Sequence, residues 1–350
     1  MKKTLKYLSF VTILLVSVSC MDYGPTSEND FNCGDAGVFI VNEGNFMYGN
    51  ASLSYYSPEN KHIESEIFIR ANGIKLGDVA QSMTIHNELG YIVVNNSGII
   101  FVIDINTFKV VRTITGFISP RYIHFINNSK AYVTDLYSSK ISIVNPQTSK
   151  ITGQIPIIGH KSTEQMVQSG KYVFTNCWSA DNKILVIDTD IDEIVDSITV
   201  GMQPNSMAID KYNKLWVLTD GGYSGSPYGN EIPSLYCINI SDFSIEKKFD
   251  FALNDSPSNL CINATCDTLY FINKSIWRLD VTANIFPNNP VIPDNGTIYY
   301  GLGISPRTSE IYVADAIDYV QNGKIFRYTP QAICIDTIST GICPSTLCFK

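Results

Sequence analysis

A short apolar-x-apolar motif, usually entered through Pro or Ser, recurs at Met83, Ile123, Met166, Met207, Leu260, Leu302 and Leu347. The intervals are 40, 43, 41, 53, 42 and 45 residues. No other feature restricts the fold as much, because a period of about 40–45 residues with four short strands in each unit is the signature of propeller blades. A second apolar run follows each of the first six motifs: Tyr91-Ile92-Val93-Val94, Tyr132-Val133-Thr134, Tyr172-Val173-Phe174, Trp216-Val217-Leu218, Tyr270-Phe271-Ile272 and Ile311-Tyr312-Val313. A third run closes on Asp or Asn, as in Phe101-Val102-Ile103-Asp104 and Val186-Ile187-Asp188. There a short polar side chain can hold a backbone N–H of the next turn. The fourth alternates, as in Ser197-Ile198-Thr199-Val200, which fits a half-exposed outer strand. A β-sandwich of similar strand count would give no reason for the fixed period.

Six blades run in order from Gln81 to Gly341, and the seventh is split. Residues 38–41 match a second strand and 53–56 a third, and 64–69 are expected as the fourth. The missing first strand is expected at the other end of the chain, in residues 344–349. The reading is an all-β, seven-bladed β-propeller whose last blade is closed by strands from both termini. One blade built from both ends shuts the ring without leaving two open sheet edges.

Ahead of the repeats, Lys2, Lys3 and Lys6 precede an apolar stretch at 8–18, of signal-peptide rather than bilayer-spanning length. It ends Val16-Ser17-Val18-Ser19-Cys20, which is similar to the bacterial lipobox, where the cysteine is acylated and becomes the new N-terminus. Residues 1–19 are read as a signal peptide, 20–36 as a lipidated Cys20 with a flexible tether, and 37–350 as the propeller. The tether would reach roughly 20–25 Å if fully flexible. No later stretch is long and apolar enough to cross a bilayer, so membrane attachment is expected through the lipid alone.

The chain carries 25 basic and 33 acidic residues, a net charge of −8. The leader holds three of the lysines and no acid, leaving 22 basic residues and −11 for the remainder. With few basic clusters, nucleic acid is not an expected partner. Nine cysteines less Cys20 leave eight, an even number suited to an oxidising compartment. Cys261 and Cys266 flank a turn and could bridge. There is no CxxC pair, and the four histidines fall at unrelated repeat positions. No structural zinc or other metal is expected on that pattern.

In a propeller, loops between second and third strands share one face with the segments joining consecutive blades. Residues 95–98 and 273–275 are minimal turns, but five counterparts are longer and aromatic. Residues 42–50 carry Phe46 and Tyr48, 135–139 carry Tyr137, and 176–182 carry Trp178. Residues 220–234, whose length accounts for the 53-residue interval, carry Tyr223 and Tyr228, and 315–322 carry Tyr319. Exposed aromatics on rigidly supported loops equip a surface for binding. The entries to the first strands supply an inner ring of Gln81, Arg121, Gln165, Asn205, Asn259 and Tyr300. These are expected to face the channel mouth, with uncharged amides dominating. Aromatics and amides together suit a large neutral ligand with many polar edges better than an ion. A propeller lactonase or lyase needs a charged central constellation, and here Arg121 has only Glu164 nearby as an acid. No catalytic residues are assigned and no enzyme is expected.

Several of these loops also resemble a known family. The segments Val41-Asn42-Glu43-Gly44-Asn45-Phe46, Gly77-Asp78-Val79-Ala80-Gln81-Ser82-Met83 and Gln203-Pro204-Asn205-Ser206-Met207 are similar to those of the BtuG-type surface lipoproteins of Bacteroidetes. So is Thr219-Asp220-Gly221-Gly222-Tyr223 with Gly225-Ser226-Pro227-Tyr228-Gly229. The resemblance implies a seven-bladed propeller on the outer-membrane surface that captures vitamin B12 (cobalamin or another corrinoid). It also implies transfer to a TonB-dependent outer-membrane transporter, with cobalamin a bound ligand and no catalytic cofactor. It identifies no individual ligand contacts and no histidine placed for a cobalt bond. A surface propeller for a glycan or a haem-like compound is the alternative, and a propeller lactonase or lyase a more distant one.

Cys20→Ala is expected to move the protein from the membrane to the soluble fraction with its melting temperature unchanged. Retention on carbonate-washed membranes would show that the cysteine is not the anchor.

Overall fold

The computed structural model describes residues 31 and 34–350. The leader, Cys20 and Cys33 lie outside the described residues, and with them the signal, the lipidation and most of the tether.

The repeats form seven antiparallel sheets. Six are consecutive in sequence, and their inner strands are Ala80–His86, Pro120–Asn127, Met166–Ser169, Pro204–Ile209, Ser258–Ile262 and Tyr299–Ile304. In the seventh, Pro344–Phe349 pairs with Val38–Asn42, which pairs with Ser52–Ser57, which in turn pairs with His62–Glu64. The register sets Ile40 opposite Leu347 and Val38 opposite Phe349. Closure by strands from both ends is therefore observed.

The apolar second strands are explained by what lies on their two sides. Side chains alternate across a strand, and here both sides are buried between blades. Tyr91 and Val93 pack with Ile123, Ala131 and Val133 of the following blade. Ile92 and Val94 pack the other way, with Phe39, Val41 and Leu53 of the two-ended blade. Among the described residues, seven such apolar clusters occupy the seven seams between neighbouring blades. Strands sandwiched on both faces read as continuous apolar runs rather than as alternation.

Two elements depart from the sequence reading. Residues 64–69 are not a fourth strand. That strand is the three-residue segment His62–Glu64, after which Glu66 adopts a left-handed φ of 53° and opens the helix Ile67–Asn72. Ile67 and Phe68 are buried in the first seam, and Asn72 fastens the helix end by donating to Phe108 O at 3.0 Å and accepting from Val110 N at 2.7 Å. The blade Ser258–Asp280 has three strands among the described residues. Its outer edge is reduced to an isolated bridge between Ile276 and Ile292, in a stretch containing Pro287, Pro290 and Pro293, which lack the N–H a ladder requires.

No bridge joins Cys261 and Cys266, contrary to the spacing argument: both are free thiols. Cys261 sits within a strand and its Sγ donates to Leu302 O of the next blade at 3.2 Å, whereas Cys266 occupies a turn with a left-handed φ of 52°.

At the closing seam the inner strands approach too closely for a side chain. A Cβ on Gly301 would lie 2.2 Å from Ser345 O, and one on Gly303 would lie 2.9 Å from Leu347 Cβ. Gly301→Ala meets backbone, and overpacking of this kind costs about 1–3 kcal/mol or more. Denaturant unfolding is expected to show that loss, with Gly303→Ala milder because its overlap, 2.9 Å against 2.2 Å, is smaller. Unchanged stability for Gly301→Ala would mean the seam is looser than described.

Candidate ligand-binding face

The face bearing the long loops is organised by the residue that ends each second strand or, after Val94 and Thr219, directly follows it, which is Asn or Asp in all seven blades. Asp135 accepts the backbone N–H groups of Ile118 at 3.0 Å and Ser119 at 2.9 Å, and also that of Tyr137 at 3.0 Å. Asn176 donates to Pro204 O at 2.6 Å, and Asn42 accepts from Thr340 Oγ1 at 3.0 Å and Gly341 N at 3.1 Å. Apart from the Tyr137 bond, which closes its own loop, these bonds fix a loop base against a neighbouring blade or the segment entering its own. The repeat of Asn or Asp at this position was present in the sequence, but it was read only at the third strands.

On these bases the aromatics divide into two groups. Phe46, Tyr48, Tyr137, Tyr223, Tyr228 and Tyr319 are exposed, with Tyr48 at 76% and Tyr137 at 71%. Trp178 is only partly exposed, because its Nε1 donates to Asp220 Oδ2 at 3.0 Å. It braces the 220–234 insertion instead of standing free. Asp220 also accepts from Gly222 N at 2.9 Å, and its burial raises its carboxyl above the usual aspartate range. The insertion turns back on itself through a bridge between Gly222 and Asn230. Gly221, at φ 74°, passes so close to Glu231 O that a Cβ there would lie 2.3 Å from it.

Neighbouring loops are tied to one another. The Lys161 ammonium lies 4.4 Å above the Tyr228 ring, and Asn45 donates to Tyr319 O at 2.6 Å. Met47 N is held by the Asp78 carboxylate at 2.9 Å, and the Tyr319 ring meets Tyr300 edge-on at 5.5 Å. The exposed rings thus stand on a cross-braced rim.

The inner ring departs from expectation. Its amides are committed to the neighbouring blade: Gln165 Oε1 accepts from Met207 N at 2.6 Å, Asn205 donates to Pro257 O at 2.7 Å, and Asn259 donates to Tyr300 O at 3.1 Å. What remains near the mouth is charged. Arg121 Nε donates to Glu164 Oε2 at 2.6 Å, and its Nη1 donates to Gln81 Oε1. Glu43, which the sequence reading left out, is a second acid acting on Arg121, and it accepts from the Tyr300 hydroxyl at 2.7 Å. Burial raises both glutamates above the ordinary carboxylate range, opposed by Tyr300 at Glu43 and by Arg121 at Glu164. Tyr122, beside them, is pushed up to about 12, again chiefly by burial. Glu164 Oε1 is buried and has no hydrogen-bond partner among the described residues.

These features define a propeller with an aromatic rim around a charged channel mouth. The chain belongs to the family described as "Domain of unknown function (DUF5074)", whose model matches residues 36–329. A curated relative, Antigen Lp49 of Leptospira interrogans, is 26% identical over 105 residues, covering 26% of this chain and 23% of that protein. Similar solved structures include a quinoprotein alcohol dehydrogenase-like protein of Bacteroides thetaiotaomicron, with a TM-score of 0.67, 14% identity, and coverage of 89% of this chain and 77% of that one. The periplasmic gluconolactonase of Pseudomonas aeruginosa has a TM-score of 0.66 and 11% identity, covering 90% and 99%. Hydrazine synthase of Kuenenia stuttgartiensis has a TM-score of 0.60 and 16% identity, covering 77% and 89%. At these identities the likeness is one of fold.

The Arg121–Glu164 pair gives a pH-dependent expectation. A carboxyl with a raised pKa holds its proton more tightly in the folded state. Its stabilising contribution is therefore full below the ordinary glutamate value of 4.5 and is lost as pH rises through the folded value. Arg121 offsets that loss. Arg121→Met leaves a buried carboxylate unpaired, at a cost of about 3–5 kcal/mol near neutrality. Urea unfolding is expected to show a deficit that shrinks as the pH falls from neutrality through the raised values of the buried carboxyl, and is smallest below 4.5. A deficit that does not change with pH would remove Glu164 from the explanation.

Proposed function

We propose that this propeller is a non-catalytic surface lipoprotein that captures a corrinoid, vitamin B12 or a close analogue, and delivers it to a TonB-dependent outer-membrane transporter. One observation carries the reading: six exposed aromatic side chains on loops of a single face, each loop fastened at its base by the side chain of Asn42, Asp135, Asp220 or Asp315. Aromatic rings supply large apolar contact area at low conformational cost, and tyrosine adds a hydroxyl. Cobalamin is large and rigid, with methyl-bearing faces and a rim of amides. Exposed rings would cover its apolar parts, while loop backbone groups and the polar channel mouth would meet its amides. A rigid ligand on a rigid rim loses little freedom on binding, which allows tight capture. The resemblance in the 42–50 and 220–234 loops supports this ligand class.

Calorimetry or competition binding with cyanocobalamin tests the proposal. Intact protein is expected to bind, and Tyr223→Ala and Tyr228→Ala are each expected to cost about 2–4 kcal/mol if they act as hot spots, roughly a thirty- to thousand-fold weakening. Trp178→Ala would loosen the insertion as well as remove a ring, so it is the less selective probe. Asn128→Ala, in a turn on the opposite face, and Lys214→Ala, at the start of the strand Lys214–Thr219 beside the equivalent turn, are expected to leave affinity unchanged. Absence of binding by the intact protein would remove the corrinoid reading.

A further inference from the structure

Beside the Trp178 loop, three donor side chains converge that no sequence motif connects. His160 comes from the segment joining two blades, Cys177 from the residue just past the strand Tyr172–Asn176, and Asp181 from the loop that follows it. His160 therefore does lie on the aromatic face, although its repeat position gave no sign of a role there. The three donor atoms, one nitrogen, one sulfur and one oxygen, all lie within 4.8 Å of one another. His160 Nδ1 is 2.7 Å from Asp181 Oδ2. His160 and Asp181 retain 19% and 14% side-chain exposure, and Cys177 is fully buried beneath them.

We propose that His160, Cys177 and Asp181 form a binding site for a divalent transition metal of the zinc class. Tetrahedral zinc with bonds of about 2.0–2.3 Å holds its N, O and S donors roughly 3.3–3.7 Å apart. The His–Asp contact of 2.7 Å is shorter than that span, and the sulfur lies no farther than 4.8 Å from either atom. A bound ion would lie between imidazole and carboxylate and draw the thiolate in. The donor set selects the metal, since an imidazole and a thiolate favour zinc, cobalt or copper over magnesium or calcium.

The backbone around the donors is already fixed. Cys177 N donates to Lys183 O at 2.9 Å, His160 N donates to Ile157 O at 3.0 Å, and Asp181 O accepts from Gln203 N at 2.7 Å. The other carboxylate oxygen of Asp181 accepts from Asn182 N at 2.6 Å, the kind of outer contact that orients a ligand. Three protein donors leave a fourth position for water or an incoming atom. The competing account, an imidazole–carboxylate pair above an inert thiol, predicts no thiolate–metal bond.

The test uses the purified full chain, reduced and stripped of metal with a chelator, then titrated with Co²⁺ followed by Zn²⁺. One Co²⁺ per chain is expected, with a near-ultraviolet thiolate-to-cobalt charge-transfer band and visible bands of a four-coordinate ion, both bleached by one equivalent of Zn²⁺. Cys177→Ser should abolish the charge-transfer band. His160→Gln should weaken Co²⁺ binding by more than about 100-fold, because loss of even an outer contact costs about 10–100-fold. The wild-type spectrum needs no substitution, so a variant that fails to fold leaves the test intact. No charge-transfer band at saturation, its survival in Cys177→Ser, or unchanged affinity in folded His160→Gln would overturn the proposal.

Discussion

A blade of this protein cannot bury its own apolar surface. Each central strand is apolar on both sides, and each side is covered only when a neighbouring blade is in place. A linear stack of such units would leave two open faces, so the repeat is stable only as a ring. The closing contacts follow from that need. Ser82 Oγ donates to Arg121 O at 2.6 Å, Leu260 N donates to Ser206 Oγ at 2.9 Å, and Thr346 Oγ1 donates to Gln81 O at 3.1 Å. Inner strand is bonded to inner strand across the seams, and the glycines at 301 and 303 admit the last one.

The same requirement shapes the binding face. Amides at the entry to each inner strand have the composition of a ligand-reading ring, yet several of them serve as ties between blades. On the corrinoid reading, polar recognition would fall to the charged cluster of Glu43, Arg121 and Glu164, although Arg121 itself spans three blades through Gln81 and Glu164, and to the backbone of the long loops. Apolar contact would fall to the rings on those loops, which the scaffold holds without burying. A rigid ring beneath variable loops separates the residues that keep the fold from those that determine what it binds.

Period, blade count and the two-ended seventh blade were legible in the sequence because each depends on spacing, which survives side-chain substitution. Residues 64–69 were misread because one helical turn and a short strand carry the same few apolar residues. Burial of Ile67 and Phe68, together with the Asn72 clamp, decides between them. The 220–234 loop was legible because its insertion disturbs the period, and the other aromatic loops because they are longer than the minimal turns at 95–98 and 273–275. Trp178 was assigned to the right loop, but its bond to Asp220 depends on a neighbouring blade. Glu43 was passed over because it belongs to the split blade, where the repeat comparison is weakest. His160, Cys177 and Asp181 were invisible for a plainer reason: their spacing matches no local motif, and only the packing of two loops against each other brings them together.

The two-ended blade also sets an order of events. Ile40 and Leu347 are paired although 307 residues separate them, so that contact is among the least local in the molecule. Closing a loop of this length costs about 2 kcal/mol more than closing one blade. The cost falls on the docking of one strand, Pro344–Phe349, against Val38–Asn42. Until it docks, six blades can assemble around a gap, with Val38–Asn42 presenting a bare edge and the Tyr312 and Phe39 seams half covered. The ring is therefore a latch as well as a scaffold: both seams that flank the two-ended blade are complete only when Pro344–Phe349 is in place.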